Sequence, residues 1–261
     1  MNRLRDASPF VAPAVLLTGL LVVPLAGLVW GGFTSDLSLS LRDPAVQAAV
    51  VLSLATSVLS VLVIVALGTP LAYVLARWAF PGRSLVQLIV DLPIVLPPMV
   101  AGLAMLEVFG RDGWLGRPLG VLGVTVPFTT AAVVLAQVFV AGPFYVRAAR
   151  IGFAGVDPAV REAAWVDGAG EVRLFASIMA PLASRALLSG LVMAWARALG
   201  EFGATIFFAG NREGVTQTIP LAIFVGFESN LGTALALSLV LLAASAVGLL
   251  VLRLIGDGRV V

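Results

Sequence analysis

VQAAVVLSLATSVLSVLVIVALGTPLAYVLA, residues Val46–Ala76, is apolar for longer than an upright bilayer-crossing helix needs, about 20 residues. Such a helix must tilt or project into water past Gly68 and Pro70. Working outward, five more runs reach spanning length: Phe10–Trp30, Leu88–Phe109, Val124–Val146, Leu187–Phe208 and Thr233–Leu252. The chain of 261 residues is 60% hydrophobic and 11% charged, against about a quarter charged in a soluble domain. Lipid must therefore solvate much of its surface. The first run is longer than a signal-peptide core and no clear A-x-A site follows, so it reads as a retained span. The fold class expected is an all-α integral membrane protein of about six transmembrane helices, forming one domain over residues 1–261 in the lipid bilayer.

Several chemistries are excluded by what the chain lacks. It has no cysteine and no histidine, which removes disulfides, the usual zinc and haem sites, and Ser-His or Cys-His catalysis. All 16 basic residues are arginine, and without lysine no conventional Walker A phosphate loop can form. The arginines lie in short flanks between apolar runs, which argues against a nucleic-acid partner. Their distribution sets an orientation. Arg3, Arg5, Arg77, Arg83, Arg147, Arg150, Arg161, Arg173, Arg185, Arg253 and Arg259 fall on one side, against Arg42, Arg111, Arg117 and Arg212 on the other. The positive-inside rule puts the first set, and both termini, in the cytoplasm. The outer segments, Thr34–Asp43 and Gly110–Gly123, read as turns or shallow loops.

The longest inner segment, about residues 147–186, contains Asp157-Pro158-Ala159-Val160-Arg161-Glu162-Ala163-Ala164-Trp165-Val166-Asp167-Gly168. Asp157 suits an N-cap, Pro158 the first helical position, and Gly168 a left-handed exit. This predicts a helix of about two and a half turns. A second helix is expected from near Gly170 through Ile178, with Pro181 after it. On pattern alone the short helix is either a solvated connector or a docking knob for a partner.

Glu162-Ala163-Ala164, then Gly168, Ile178 and Ala180-Pro181, resembles the E-A-A-x3-G-x9-I-x-L-P loop of ABC importer permeases, with Ala180 standing where leucine is usual. Three further segments, Asp91–Gly102, Ala196–Thr205 followed by Phe208–Asn211, and Thr216–Ile223, resemble the molybdate/sulfate branch of the type I importers, molybdate permeases in particular. The resemblance covers at least Val46–Leu252. It implies the type I ABC importer permease fold and a homodimer with its pathway between the subunits. It also implies two cytoplasmic ATPase subunits that bind ATP and magnesium, a soluble extracytoplasmic oxyanion-binding protein, and an inner-membrane location. The chain itself would hold no cofactor and no metal and would catalyse nothing. Arg161, Glu162, Ala163, Ala164, Asp167 and Gly168 would form the coupling element that docks on the ATPase. Small Ala163 and Ala164 would allow close approach, and Arg161, Glu162 and Asp167 would pair with charges across the contact.

Arg197 falls within the fifth run, with Glu201 one turn later. A central arginine costs about 2.5–3.5 kcal/mol on insertion scales, so it should face protein or water. The two either form a structural pair on one helical face or border the route of an oxyanion. In the second case Arg197→Gln should cut uptake and leave assembly intact. Pro93, Pro97 and Pro98 break the third run, and Pro143 the fourth, for packing or for gating. Arg197, Glu201, Pro97, Pro98 and Pro143 are the candidate pathway residues. Ser53, Thr56, Ser57 and Ser60 read as a small-residue packing stripe. The expected function is the permease subunit of an ATP-driven molybdate importer working by alternating access. Tungstate or sulfate cargo, an ion-coupled secondary transporter and a transport-inactive scaffold are the competing readings.

Overall fold

The computed structural model describes residues 8–34 and 37–256; Arg3, Arg5, Arg259, both termini, and Ser35 and Asp36 of the first outer segment lie outside them. Every regular element among the described residues is helical. In chain order they are α1 Ser8–Thr34, α2 Leu37–Ser40, α3 Pro44–Arg77, α4 Arg83–Val95, α5 Pro98–Phe109, α6 Gly116–Val121, α7 Thr130–Ala154, α8 Pro158–Val166, α9 Glu171–Leu199, α10 Gly203–Phe208, α11 Ile219–Ser229 and α12 Leu231–Gly256. Helices α1, α3, α7, α9 and α12 are long and apolar enough to cross a membrane. Counting α4 with α5 as one broken span brings the number to six.

The predicted second span is one uninterrupted helix. Asp43 opens it by accepting the Ala45 amide at 2.8 Å, with Pro44 in the first turn. Pro70 sits inside without ending it. The third span is broken as expected, by 118°, but at Pro97-Pro98 and not at Pro93, which remains within α4. A proline forces the residue before it out of the helical region. The pair does so twice: Leu96 has ψ 130° and Pro97 has ψ 130°. Two successive extended residues turn the chain.

Two expected boundaries need correction. The fourth span runs over Thr130–Ala154, starting later and ending later than the apolar run, because Thr129 caps it by accepting the Ala132 amide. The fifth helix begins at Glu171 and passes through Pro181, so the separate inner helix expected to stop near Ile178 does not exist. A π turn at Phe175–Met179, in which the Ala180 amide reaches the Phe175 carbonyl, gives the proline ring room. That helix then ends at Leu199, well short of the expected Phe208; residues 200–202 interrupt it before α10. The apolar runs give no sign of α11, an 11-residue apolar helix too short to cross alone.

The core lies where α7 packs between α3 and α9. Its contacts are made by small and aromatic side chains, among them Ala72, Ala141, Tyr145, Ala149, Phe153, Ala183 and Ala194. Ser53, Thr56, Ser57 and Ser60 are buried, as a packing stripe requires. They are also wired. Ser60 donates to Gln137 Oε1 at 2.8 Å, and Gln137 Nε2 donates to Thr56 Oγ1 at 3.3 Å. Ser53 Oγ accepts the Ile219 amide at 2.6 Å and so fixes the start of α11. Ser53→Ala strands that buried amide, at a cost of about 1–3 kcal/mol. The expected result is a lower thermal midpoint in detergent and faster amide exchange at Ile219.

Candidate functional site

The inner helix α8 forms as the sequence directs. Asp157 Oδ1 accepts the Ala159 amide at 2.8 Å, and Pro158 opens the first turn. The exit is a Schellman turn: Ala169 N–H reaches the Ala164 carbonyl and Gly168 N–H the Trp165 carbonyl, both at 2.9 Å. Gly168 supplies the required φ of +79°. Glu162, Ala163, Asp167 and Gly168 are exposed, Arg161 is half-buried, and Val166 stands out at 88% exposure. Ala164 differs from expectation. It is buried against its own bundle, so Ala163 alone of the pair is free to meet another surface.

A hub that sequence reading missed fastens this helix to two spans. The Arg77 guanidinium, in the last turn of α3, lies 4.6 Å from the Trp165 ring centroid on α8. Its Nε is 3.6 Å from Glu171 Oε1, in the first turn of α9. Tyr73 donates to the same Glu171 oxygen at 2.8 Å and packs edge-on against Phe153 of α7 and Phe175 of α9. These contacts join α8 to α3 and α9, and through Tyr73 to α7. The available sequence signal was Arg77-Trp78, a cation and an aromatic at a span's inner end. Nothing local pointed to Glu171, nearly a hundred residues away. Trp165→Ala removes a cation–π contact of about 0.5–1 kcal/mol at such a half-exposed site. Amide exchange in α8 is expected to rise while the spans stay protected.

Inside the bundle, Arg197 and Glu201 do meet, Nη1 to Oε2 at 2.7 Å. They do not share one continuous span: Arg197 is in the last turn of α9 and Glu201 lies beyond its C-cap, Gly200. Glu201 is 1% exposed, and its other oxygen accepts the Ala204 amide at 2.7 Å, satisfying the start of α10. The pair is a latch across the break. Beyond it α10 packs on α5 so closely that side chains do not fit. A Cβ on Gly203 would lie 2.7 Å from Pro98 Cβ, and one on Gly102 would lie 2.7 Å from the Ala204 carbonyl oxygen. Pro97, Pro98, Arg197 and Glu201 therefore belong to one unit, two broken helices joined at their breaks. Pro143 does not join them. It lines a separate apolar cavity of about 260 Å³ with Gly68, Pro93 and Phe139.

Comparison with known proteins is specific. Residues 68–259 match the family described as binding-protein-dependent transport system inner membrane component. The molybdenum transport system permease protein ModB of Mycobacterium tuberculosis is 42% identical over 244 residues, covering 91% of this chain and 89% of that protein. ModB of Escherichia coli K12 is 40% identical over 214 residues, covering 81% and 93%. Among solved structures, a bacterial ABC transporter involved in import of the acidic polysaccharide alginate superposes with a TM-score of 0.74. It covers 98% of this chain and 97% of its own at 18% identity, a likeness of fold.

Proposed function

From a chain that belongs to the binding-protein-dependent transport system inner membrane components, we propose the membrane-spanning subunit of an ATP-driven molybdate importer, tungstate being a chemically close second cargo. The chain is a multi-pass inner-membrane permease and not an enzyme; hydrolysis belongs to a separate ATPase subunit. The observation that carries the mechanism is the inner helix α8, capped at both ends and tied through Arg77 and Tyr73 to three spans. A partner that shifts α8 shifts the bundle.

In this reading two copies of the chain enclose the pathway, two ATPases bind ATP and magnesium on the cytoplasmic side, and a binding protein delivers the anion outside. Arg161, Glu162, Ala163, Asp167 and Gly168 present the docking face, with Val166 added and Ala164 serving as the inner support. Both termini lie in the cytoplasm, in keeping with the arginine asymmetry. ATP-driven closure of the ATPases carries α8 with it, and the spans exchange outward for inward access.

The secondary-transporter reading is weakened by the latch. A proton or ion relay needs a carboxylate free to change partners, whereas one Glu201 oxygen holds the Ala204 amide and the other lies 2.7 Å from Arg197 Nη1. The same geometry favours a structural role for Arg197 over direct contact with the anion. Reconstitution with an ATPase and an oxyanion-binding protein tests the function. Uptake of molybdate should require internal ATP, and tungstate should compete far better than sulfate. Sulfate-selective uptake would reassign the cargo, and uptake without ATP would overturn the importer reading.

A further inference from the structure

A cavity of about 530 Å³ lies at the far end of α5, bordered by three cations, Arg111, Arg117 and Arg212. They are three of the four arginines on the outer segments. They come from two segments far apart in sequence, Arg117 being in α6, and the fold brings them to one rim. Gly110, Gly116, Gly120, Thr125 and Thr129 also line it, together with Leu106, Phe109 and Phe128.

The Arg212 loop is built rigidly. Its carbonyl accepts the amides of Val215, Thr216 and Gln217, its own amide donates to Thr216 Oγ1 at 2.9 Å, and Thr130 on α7 donates to Val215 O at 2.9 Å. The nearby carboxylates do not cancel the rim. Asp112 approaches Arg117 only at 3.9 Å, both being largely exposed, a contact of little strength in water. Glu107 is exposed on α5 and absent from the lining. Glu213, adjacent to Arg212, turns with Asp43 into a different cavity. The cavity's own lining thus holds three arginines and no carboxylate.

We propose that this arginine-rimmed cavity is a collecting site for the divalent tetrahedral oxyanion on its way from the binding protein to the pathway. The proposal rests on the oxyanion-import reading and adds a place where the cargo pauses. Clustered charge of one sign above low-dielectric walls concentrates counter-ions and raises encounter rates by about 10–1,000-fold. The exposed, hydrated guanidinium groups hold the anion weakly, as a transit site must, since tight binding would stop release. The cavity adjoins the α5–α10 unit: Phe109 of its lining packs on Phe208 of α10, with centroids 5.8 Å apart. An anion there sits at the ends of α5 and α10 opposite their two breaks.

The test uses the permease–ATPase complex in proteoliposomes and sodium molybdate as probe. Equilibrium binding of labelled molybdate without binding protein is measured first, then ATP-driven uptake with it. The triple variant Arg111→Gln/Arg117→Gln/Arg212→Gln is compared with the wild type and with the corresponding triple lysine variant. The glutamine variant should lose the weak, salt-sensitive molybdate binding. It should take up molybdate about tenfold more slowly, the lower end of the steering range. Its affinity for the binding protein should be unchanged, and lysines should restore most of both losses. Unaltered binding and uptake in the glutamine variant would overturn the proposal. So would a loss of uptake matched by an equal loss of binding-protein affinity, which would make the rim a protein-docking surface. Failure of the wild type to transport molybdate while still binding it at this rim would sink the import reading and leave the anion site standing.

Discussion

Gly168→Val is expected to uncouple the transporter: ATP hydrolysis continues while molybdate uptake falls by roughly 5–150-fold. The glycine sits at φ +79°, and no neighbouring atom lies within 4 Å of where its Cβ would be. The obstacle is therefore backbone conformation and not space. A β-branched residue held left-handed costs of order 1–3 kcal/mol, which the chain would avoid by unwinding the Schellman turn. That turn sets the direction in which α8 hands over to α9, so its loss misaims the docking face without removing it. A coupling free energy of about 1–3 kcal/mol corresponds to the 5–150-fold range. Gly168→Asn is the control, since asparagine tolerates this conformation; it should retain most uptake. Equal uptake in both variants would mean that the exit geometry does not matter.

The second large effect concerns the latch. Arg197→Gln leaves Glu201, at 1% exposure, without its cation. Removing one member of a buried pair costs about 3–5 kcal/mol. The variant should therefore lose assembled complex as well as uptake, in contrast with the sequence-based expectation that assembly would survive. The double variant Arg197→Gln/Glu201→Gln removes both charges, and a glutamine side chain retains an oxygen for the Ala204 amide. It should recover assembly. Its transport then separates the two roles: recovery of uptake marks a structural latch, and an assembled but inactive complex marks an arginine needed by the anion. The latch account predicts recovery to within a few-fold of wild type.

Much of this was legible in the amino-acid order, for physical reasons that also explain what was not. Long apolar runs report lipid exposure directly, so the spans could be located. The Asp157-Pro158 start and the Gly168 exit are local devices whose partners lie within a few residues, so α8 could be drawn almost to the residue. The double proline announced a break because each ring constrains its predecessor. Pro181 misled because a π turn five residues wide can absorb a proline, and that depends on packing. Residues 200–208 misled because the stretch from Phe202 to Phe208 is apolar whether the helix continues or restarts in a new direction.

At the candidate site the same division holds. Arg197 and Glu201 were found because a charge in an apolar run stands out, but their task was not, since it depends on the Ala204 amide at a break the composition hides. Ala164 was assigned to a partner although it faces the bundle, because a short amphipathic helix does not reveal which side is already covered. Arg77 and Glu171 were missed because tertiary folding brings them together. The arginine rim is a similar case: Arg111 and Arg117 are neighbours in sequence, but Arg212 reaches them only through the packing of α5 with α10 and α7.

In the proposed importer, α8 faces the cytoplasm and is covered there by a separate motor. The chain has no cysteine, so a single Ala163→Cys on the exposed face reports without background. Its labelling by a membrane-impermeant maleimide is measured in right-side-out and inside-out vesicles, with and without the ATPase subunit co-expressed. Labelling only in inside-out vesicles, strongly reduced by the ATPase, is the predicted result. Labelling from the outer side, or labelling from inside that the ATPase leaves unchanged, would rule out this role for α8.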